Sequence, residues 1–326
     1  MIHWVLESEI KDIEVEHYVD DFLVIVPEGR DSRQVLEQAL GIFERLGVPI
    51  SANKLCGPDT AVTFLGLGID TAEWVISIPP EKVRKAMELL ETMKQRKKVR
   101  RSFVQSVVGV LFFLAKAFPQ GRPYLMAMIR PLKSGNRYVK TTTKLRNSCG
   151  WWATHLPSWP GRQLIMDVDW SGPSVLGFST DASRWGMGAV FGNRWIQLKW
   201  PEAVLTEAER TEAISMPYLE LLALVIALRT WANLLSGKRV LIESDCQPVV
   251  EAVNRAWAGN EGMADLICEI ADVSIRYSCQ IRAKHLPGIT NTIPDLLSRN
   301  QAAQSRLAQP SLNLHSDLPR LSSTTH

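Results

Sequence analysis

Asp181, Glu220, Asp245 and Asp295 are the residues of this chain whose types and settings could do chemistry together. Asp181 ends the apolar run Val175-Leu-Gly-Phe-Ser-Thr180, and Glu220 lies within a long apolar stretch of helical character. Asp245 ends Arg239-Val-Leu-Ile-Glu-Ser244, and Asp295 follows His285 and Asn291. Carboxylates delivered from separate strands and helices to one place repel unless divalent cations hold them, and two-metal phosphodiester chemistry requires that arrangement. Taken singly, each has a plainer reading: an Asp at a strand end forms turns, and Asp295 suits the start of a helix. Their order and context together point to a site.

The elements that must position them follow from periodicity. From Gly172 the pattern predicts strands over 175–181, 186–191 and 195–200, the last two joined by Gly192-Asn193, a two-residue hairpin signal. A long helix over 217–235, a strand over 240–245, helices over 248–257 and 263–275, a strand over 280–285 and a closing helix over 291–299 complete the order β-β-β-α-β-α-α-β-α. The helix around Glu220 is apolar on nearly every face, so a charge there needs a partner, and a metal ion is the best candidate. Asp295 falls in the first turn of a helix expected to be capped by Asn291.

Upstream, 13–26 reads as a β-hairpin with its tight connection on Asp20-Asp21, followed by a helix over 32–46 that Gly47 stops. Strands are expected over 62–69 and 74–78, then amphipathic helices over 81–97 and 102–118, the second broken by Pro119-Gln-Gly-Arg-Pro123. The Ser-, Thr-, Gln- and Pro-rich stretch 301–326 is expected to be disordered.

A chain of 326 residues with 46% hydrophobic content is long enough for two or three cored domains. Neither a signal-peptide pattern nor an uncharged apolar run of membrane-spanning length is evident, so the expectation is a soluble intracellular protein without a membrane partner, nucleus and cytoplasm being equally open. The five cysteines are scattered without a Cys-x-x-Cys pair, which argues against a disulfide framework or a zinc site. The net charge of +3 hides an asymmetry: between Thr92 and Met166 fifteen Lys and Arg occur without one Asp or Glu. A polyanion lying along this segment accounts for that segregation. The densest part, Lys94-Gln-Arg-Lys-Lys-Val-Arg-Arg101, makes Lys97, Lys98, Arg100 and Arg101 candidate phosphate contacts. A solvated basic face or a nuclear-import signal fits the same run.

The set Ser179-Thr-Asp-Ala-Ser183, Tyr218-Leu-Glu-Leu-Leu222, Glu243-Ser-Asp245 and His285-Leu-Pro-Gly-Ile-Thr-Asn-Thr-Ile-Pro-Asp295 resembles type 1 ribonuclease H over about residues 172 to 300. The resemblance implies that Asp181, Glu220, Asp245 and Asp295 bind Mg²⁺ in a two-metal site, Mn²⁺ suiting the same oxygen ligands. It implies that His285 assists proton transfer or product release, although a strand-end histidine bonded to backbone is the alternative, and that Asn291 contacts substrate or caps its helix. The implied reaction is in-line attack of a metal-activated water on an RNA phosphate in an RNA/DNA hybrid, leaving a 5′-phosphate and a 3′-hydroxyl.

Tyr18-Val-Asp-Asp21 between two apolar strands resembles the catalytic hairpin of reverse transcriptases, and Leu46-Gly-Val-Pro-Ile-Ser-Ala-Asn-Lys54 and Phe64-Leu-Gly-Leu-Gly-Ile69 resemble the next two polymerase motifs. The resemblance makes Asp20 and Asp21 metal-binding catalytic residues and Tyr18 and Lys54 substrate contacts, an exposed solvated lysine being the plain alternative for Lys54. Val108-Gly-Val-Leu-Phe-Phe-Leu-Ala, Gly121-Arg-Pro-Tyr-Leu125, Trp151-Trp152 and Leu156-Pro-Ser-Trp159 resemble the thumb and connection of retrotransposon enzymes, most closely the DIRS-like, tyrosine-recombinase group. The expected architecture is α/β (α+β): a truncated palm over 1–80, a basic helical thumb/connection over 81–171, an RNase H-like mixed five-stranded sheet with flanking helices over 172–300, and a tail over 301–326.

Reverse transcriptases need a further metal-binding Asp upstream of the hairpin, and only 19 residues precede Asp20. Met1 is therefore expected to mark a truncated element or an incomplete gene model. Primer-template extension is expected only with the upstream polymerase part of the same polyprotein supplied. The leading reading is a retroelement fragment with a working ribonuclease H, and the alternative is a non-catalytic nucleic-acid-binding remnant.

Overall fold

The computed structural model describes residues 2–159, 163–164, 177–202, 204, 216–302, 304–305 and 317. In chain order the elements are α1 (Ile2–Glu9), β1 (Glu14–Tyr18), β2 (Asp21–Ile25), α2 (Ser32–Arg45), β3 (Ala61–Phe64), β4 (Leu67–Asp70), β5 (Val75–Ser77) and α3 (Pro80–Gln95). There follow β6 (Lys98–Arg100), α4 (Arg101–Leu114), α5 (Met126–Ile129), β7 (Tyr138–Lys140), α6 (Thr143–Ser158) and β8 (Gln163–Leu164). The last stretch holds β9 (Phe178–Ala182), β10 (Gly186–Phe191), β11 (Arg194–Lys199), α7 (Met216–Trp231), β12 (Arg239–Ser244), α8 (Gln247–Arg255), α9 (Glu261–Arg276), β13 (Gln280–His285) and α10 (Thr292–Ser298). Two units divide the chain, Met1–Glu88 with His155–Met166, and Leu89–Thr154 with Asp167–His326.

In the first unit Leu6, Val15, Val35, Ala39, Ile42 and Phe43 share one core. Val35, Ala39 and Ile42 are spaced to line one face of α2, whose start is capped by Asp31 accepting from the Arg33 and Gln34 backbone at 2.9 and 3.2 Å. The β1–β2 hairpin pairs Tyr18 with Asp21, so its turn is Val19-Asp20, one residue earlier than expected. Val19 takes a left-handed φ of 55°, which a β-branched residue does not signal in sequence. Periodicity reads 62–69 as one strand, while its resemblance to the primer-gripping hairpin of polymerases implies a turn; the segment is a hairpin, with Leu65 and Gly66, both at positive φ, turning the chain between β3 and β4.

The second unit is built on a mixed sheet ordered β11-β10-β9-β12-β13, antiparallel from β9 to β11 and parallel from β9 through β12 to β13. Helix α7 packs on β9 and β10, α10 on the same two strands, α8 on β13, and α9 on α7. The core runs from Phe178 and Met187 through Leu221, Leu224 and Leu228 to Val240 and Ile267. The expected strand and helix order is present among the described residues, although Val175 and Leu176 at the head of the first expected strand lie outside them. Met216–Leu235 is long and apolar enough to cross a bilayer, yet it is mostly buried in this core.

Two features of the basic segment are not evident from periodicity. Residues 98–100 and 138–140, each too short to show a period of two, pair as an antiparallel ribbon. Helical residues on either side of β7 are held to α9: Tyr124 Oη and Trp151 Nε1 both donate to Asp272 at 2.7 Å, and their rings stack at 3.9 Å. Lys144 Nζ lies 2.8 Å from Glu261 and 2.7 Å from Asp265. Most of the tail expected to be disordered lies outside the described residues. Asp317, which is described, donates its backbone N–H to Trp195 O at 2.7 Å and accepts from Trp231 Nε1. All five cysteines are free.

Candidate metal centre

Three elements of the mixed sheet meet at the carboxylates. Asp181 is near the end of β9 and 5% exposed, Glu220 is in the second turn of α7 and 7% exposed, and Asp245 follows β12 and is half-buried. One oxygen from each lies within 4.8 Å of the other two. The reason is topological: β9 and β12 are adjacent parallel strands, so the residues ending them emerge on the same edge of the sheet. Helix α7, apolar all round, buries Glu220 against β9.

Arg299, itself paired with Asp295, lends Asp181 some counter-charge, yet the cluster keeps unpartnered oxygens. Asp181 Oδ2 and Glu220 Oε2 are buried without a hydrogen-bond partner. Burial, then the Asp181 charge, pushes the Glu220 carboxyl up to about 9, with the Ala182 backbone N–H a partial offset and Asp245 and Asp295 adding to the rise. Burial lifts Asp181 to about 6, opposed by the Ser298 hydroxyl and reinforced by Asp245 and Asp295. Unpaired buried carboxylates are costly unless they are protonated or hold a cation, and an all-oxygen donor set suits a hard divalent ion. The residues therefore fit a divalent metal.

The fourth expected acid is placed differently. Asp295, in the first turn of α10, accepts from Arg299 Nε at 2.7 Å and lies outside the 4.8 Å triad, although its charge reaches Asp181 and Glu220. His285 is exposed at the end of β13 with Nε2 3.2 Å from the Asp245 carbonyl oxygen, so the backbone-bonded reading and a position beside the triad both hold. Asn291 stands at the N-cap of α10, but its side chain makes no cap hydrogen bond, a correction to the expected role. Instead its buried Nδ2 donates to Thr180 O at 3.0 Å and its carbonyl accepts from the Asp295 backbone at 3.2 Å. It thus joins the strand carrying Asp181 to the helix carrying Asp295.

Glycines set two close approaches that were not anticipated. A Cβ on Gly188 would meet Pro294 O at 2.2 Å and Leu297 Cβ at 2.6 Å, so α10 can lie on β10 only because that position is bare. A Cβ on Gly288 would come within 3.0 Å of Asp245 Oδ2, so the loop after His285 rests against the carboxylate. A glycine inside an apolar strand, as in Gly186-Met-Gly188, was the available signal for the first of these.

The acids of the first unit have another setting. Asp20 and Asp21 are exposed in and beside the hairpin turn, and among the described residues no third metal-ligating group joins them. Tyr18 is 64% exposed and Lys54 is exposed at the end of a short 3₁₀ turn. Lys97, Lys98 and Arg100 are exposed, and Arg101 opens α4.

Comparison with known proteins accords with the second unit. Residues 175–264 match the model of the RNase H-like domain found in reverse transcriptase, a span that includes Asp181, Glu220 and Asp245. No curated protein sequence matches the chain. Among solved structures, the foamy viral protease-reverse transcriptase in complex with dsDNA is 14% identical, with 86% of this chain and 56% of that chain covered and a TM-score of 0.41. The same viral enzyme in complex with an RNA/DNA hybrid is 13% identical, with 92% and 60% covered and a TM-score of 0.30. Its dRH form with ds DNA is 13% identical, with 83% and 46% covered and a TM-score of 0.39. The chain thus spans about half the length of these enzymes, and at such TM-scores the site rests on its own geometry and on the family match. Residues 175–264, which bring the three clustered carboxylates together, carry an RNase H-like domain of the kind found in reverse transcriptase.

Proposed function

We propose that this chain comes from a retroelement reverse transcriptase and cuts the RNA strand of RNA/DNA hybrids in a metal-dependent reaction. The observation that carries the reading is the convergence of Asp181, Glu220 and Asp245, with buried unpartnered oxygens, inside the segment matched to the RNase H-like family. Mg²⁺ or Mn²⁺ held by these carboxylates would supply positive charge against the scissile phosphate and make a water more acidic. The chain's own residues do the positioning. Asn291 fixes the strand of Asp181 to the start of α10, and Asp295 completes the acidic set when Arg299 releases it. His285, exposed beside Asp245, is placed to exchange a proton with solvent at the edge of the site. Hybrid is the substrate class because a shallow minor groove lined by 2′-hydroxyls is what such a site reads.

DNA synthesis is a narrower proposal. Asp20 and Asp21, with Tyr18 and Lys54, supply part of a polymerase site, and RNA-directed polymerisation requires a further carboxylate from an upstream palm and fingers part. The motifs quoted above support a DIRS-like source.

The test is cleavage of a 5′-labelled RNA strand in an RNA/DNA hybrid with Mg²⁺, comparing the chain with Asp245→Asn. Metal-dependent cutting that the variant loses is expected. A folded protein that binds hybrid and never cuts it would leave the non-catalytic remnant as the reading.

A further inference from the structure

The charges of the basic segment divide into two groups. Arg130 and Lys144 are paired with Glu261, and Lys144 also with Asp265, so they tie the segment to α9. Lys97, Lys98, Arg100, Arg101, Arg137 and Lys140 gather at the β6–β7 ribbon, and among the described residues none of them has a carboxylate partner.

The ribbon presents these cations rather than hiding them. Val99 and Val139, each 3% exposed, pair across the ladder and face inward, so Lys98, Arg100, Tyr138 and Lys140 face solvent together. The register sets Lys98 opposite Lys140, a like-charge pair that destabilises an antiparallel ladder unless an anion lies over it. Lys98 Nζ stands 4.7 Å and Arg137 Cζ 5.9 Å from the centre of the exposed Tyr138 ring, which spaces the cations along the surface. A nuclear-import signal is read as a free extended peptide. This run is zipped at both ends, Arg101 N to Arg137 O at 2.9 Å and Thr141 N to Lys97 O at 3.1 Å. A solvated face gains nothing from opposed lysines. A row of phosphates does.

We propose that the β6–β7 ribbon is a nucleic-acid contact, distinct in its residues from the carboxylate triad, that binds the sugar–phosphate backbone of a duplex through Lys98, Arg100 and Lys140. Choice of an RNA/DNA hybrid as the duplex rests on the nuclease reading. Because the ribbon offers point charges and no base-reading groups, it contributes affinity and salt dependence without sequence preference.

The experiment titrates the full chain with a fluorescent RNA/DNA hybrid in Ca²⁺ over a series of salt concentrations, for the wild type, K98A/R100A/K140A and the charge-keeping K98R/R100K/K140R. The alanine variant is expected to bind at least about tenfold more weakly at physiological salt. Its slope of log affinity against log salt falls by about 2 to 3, the value for three lost phosphate contacts, and the charge-keeping variant stays near wild type. Thermal melting checks folding, and if the triple variant melts early, single Lys98→Gln and Lys140→Gln variants each lower the slope by about one. An unchanged slope in folded variants overturns the proposal. Ribbon-dependent binding by a wild-type chain that never cuts RNA would keep the ribbon and remove the nuclease reading. Asp245-dependent cutting with no ribbon effect would do the reverse.

Discussion

Two acidic sites with similar claims in the sequence end in different physical situations. Asp20 and Asp21 are neighbours in the chain, exposed at a hairpin turn, and solvent screens them. Asp181, Glu220 and Asp245 are separated by tens of residues, yet the sheet and α7 press one oxygen of each to within 4.8 Å. Adjacency in sequence places charges side by side at little cost, whereas convergence in space stores repulsion that a cation relieves. The second arrangement is the stronger sign of a metal centre.

Substitution gives the largest predicted contrast. Glu220→Gln or Asp181→Asn should lower hybrid cleavage by more than about a hundredfold, beyond the 10–100-fold typical of residues that only support a metal ligand. Asp20→Asn with Asp21→Asn should leave cleavage within a factor of about two, and a single-turnover assay on one labelled hybrid separates the cases. A smaller but still large effect is expected at Gly188, where a methyl group would press on the Pro294 carbonyl. Gly188→Ala should cost about 1–3 kcal/mol of stability by overpacking, seen as a lower denaturation midpoint, and should weaken cleavage by displacing α10.

The stored repulsion also predicts a pH dependence. The folded chain raises Asp181 to about 6 and Glu220 to about 9, so the native state binds more protons than the unfolded one between about pH 4 and about pH 9. Without divalent metal, stability is therefore fully present below the ordinary carboxylate range. It should fall as pH rises through 6 and on toward 9, and melting temperatures across that range test it. Glu220→Gln should flatten the upper part of the curve, and saturating Mg²⁺ should offset the fall. The smallest effect is expected at Arg299, whose exposed i,i+4 pair with Asp295 contributes at most about 0.5 kcal/mol. Arg299→Ala should hardly move the melting temperature while changing the Mg²⁺ concentration that gives half-maximal cleavage, because it frees Asp295.

The acids of the metal centre were legible because each ended or interrupted an apolar run, and such runs report strands and buried helices directly. The order of strands and helices along the chain followed for the same reason, whereas their pairing into a mixed sheet came from the family resemblance and not from the runs themselves. Asn291 was legible as important, but of its two expected roles the cap is not made: a helix-start asparagine predicts a cap, and only the packing of α10 on β9 turns its amide toward Thr180 O. The β6–β7 ribbon stayed hidden because three-residue strands leave no periodic trace and lysines do not favour sheets. Likewise the hairpin turn moved to Val19-Asp20 because local propensity does not anticipate valine at positive φ.

The most direct test of the central claim is calorimetric titration of the chain with Mg²⁺ or Mn²⁺ at neutral pH, in two buffers of different ionisation enthalpy. Cation binding should release protons, because Glu220 is held protonated until metal arrives, and both binding and release should disappear in Glu220→Gln while persisting in Asp20→Asn with Asp21→Asn. Binding that survives Glu220→Gln without proton release, or that vanishes only when the hairpin acids are replaced, would contradict the account.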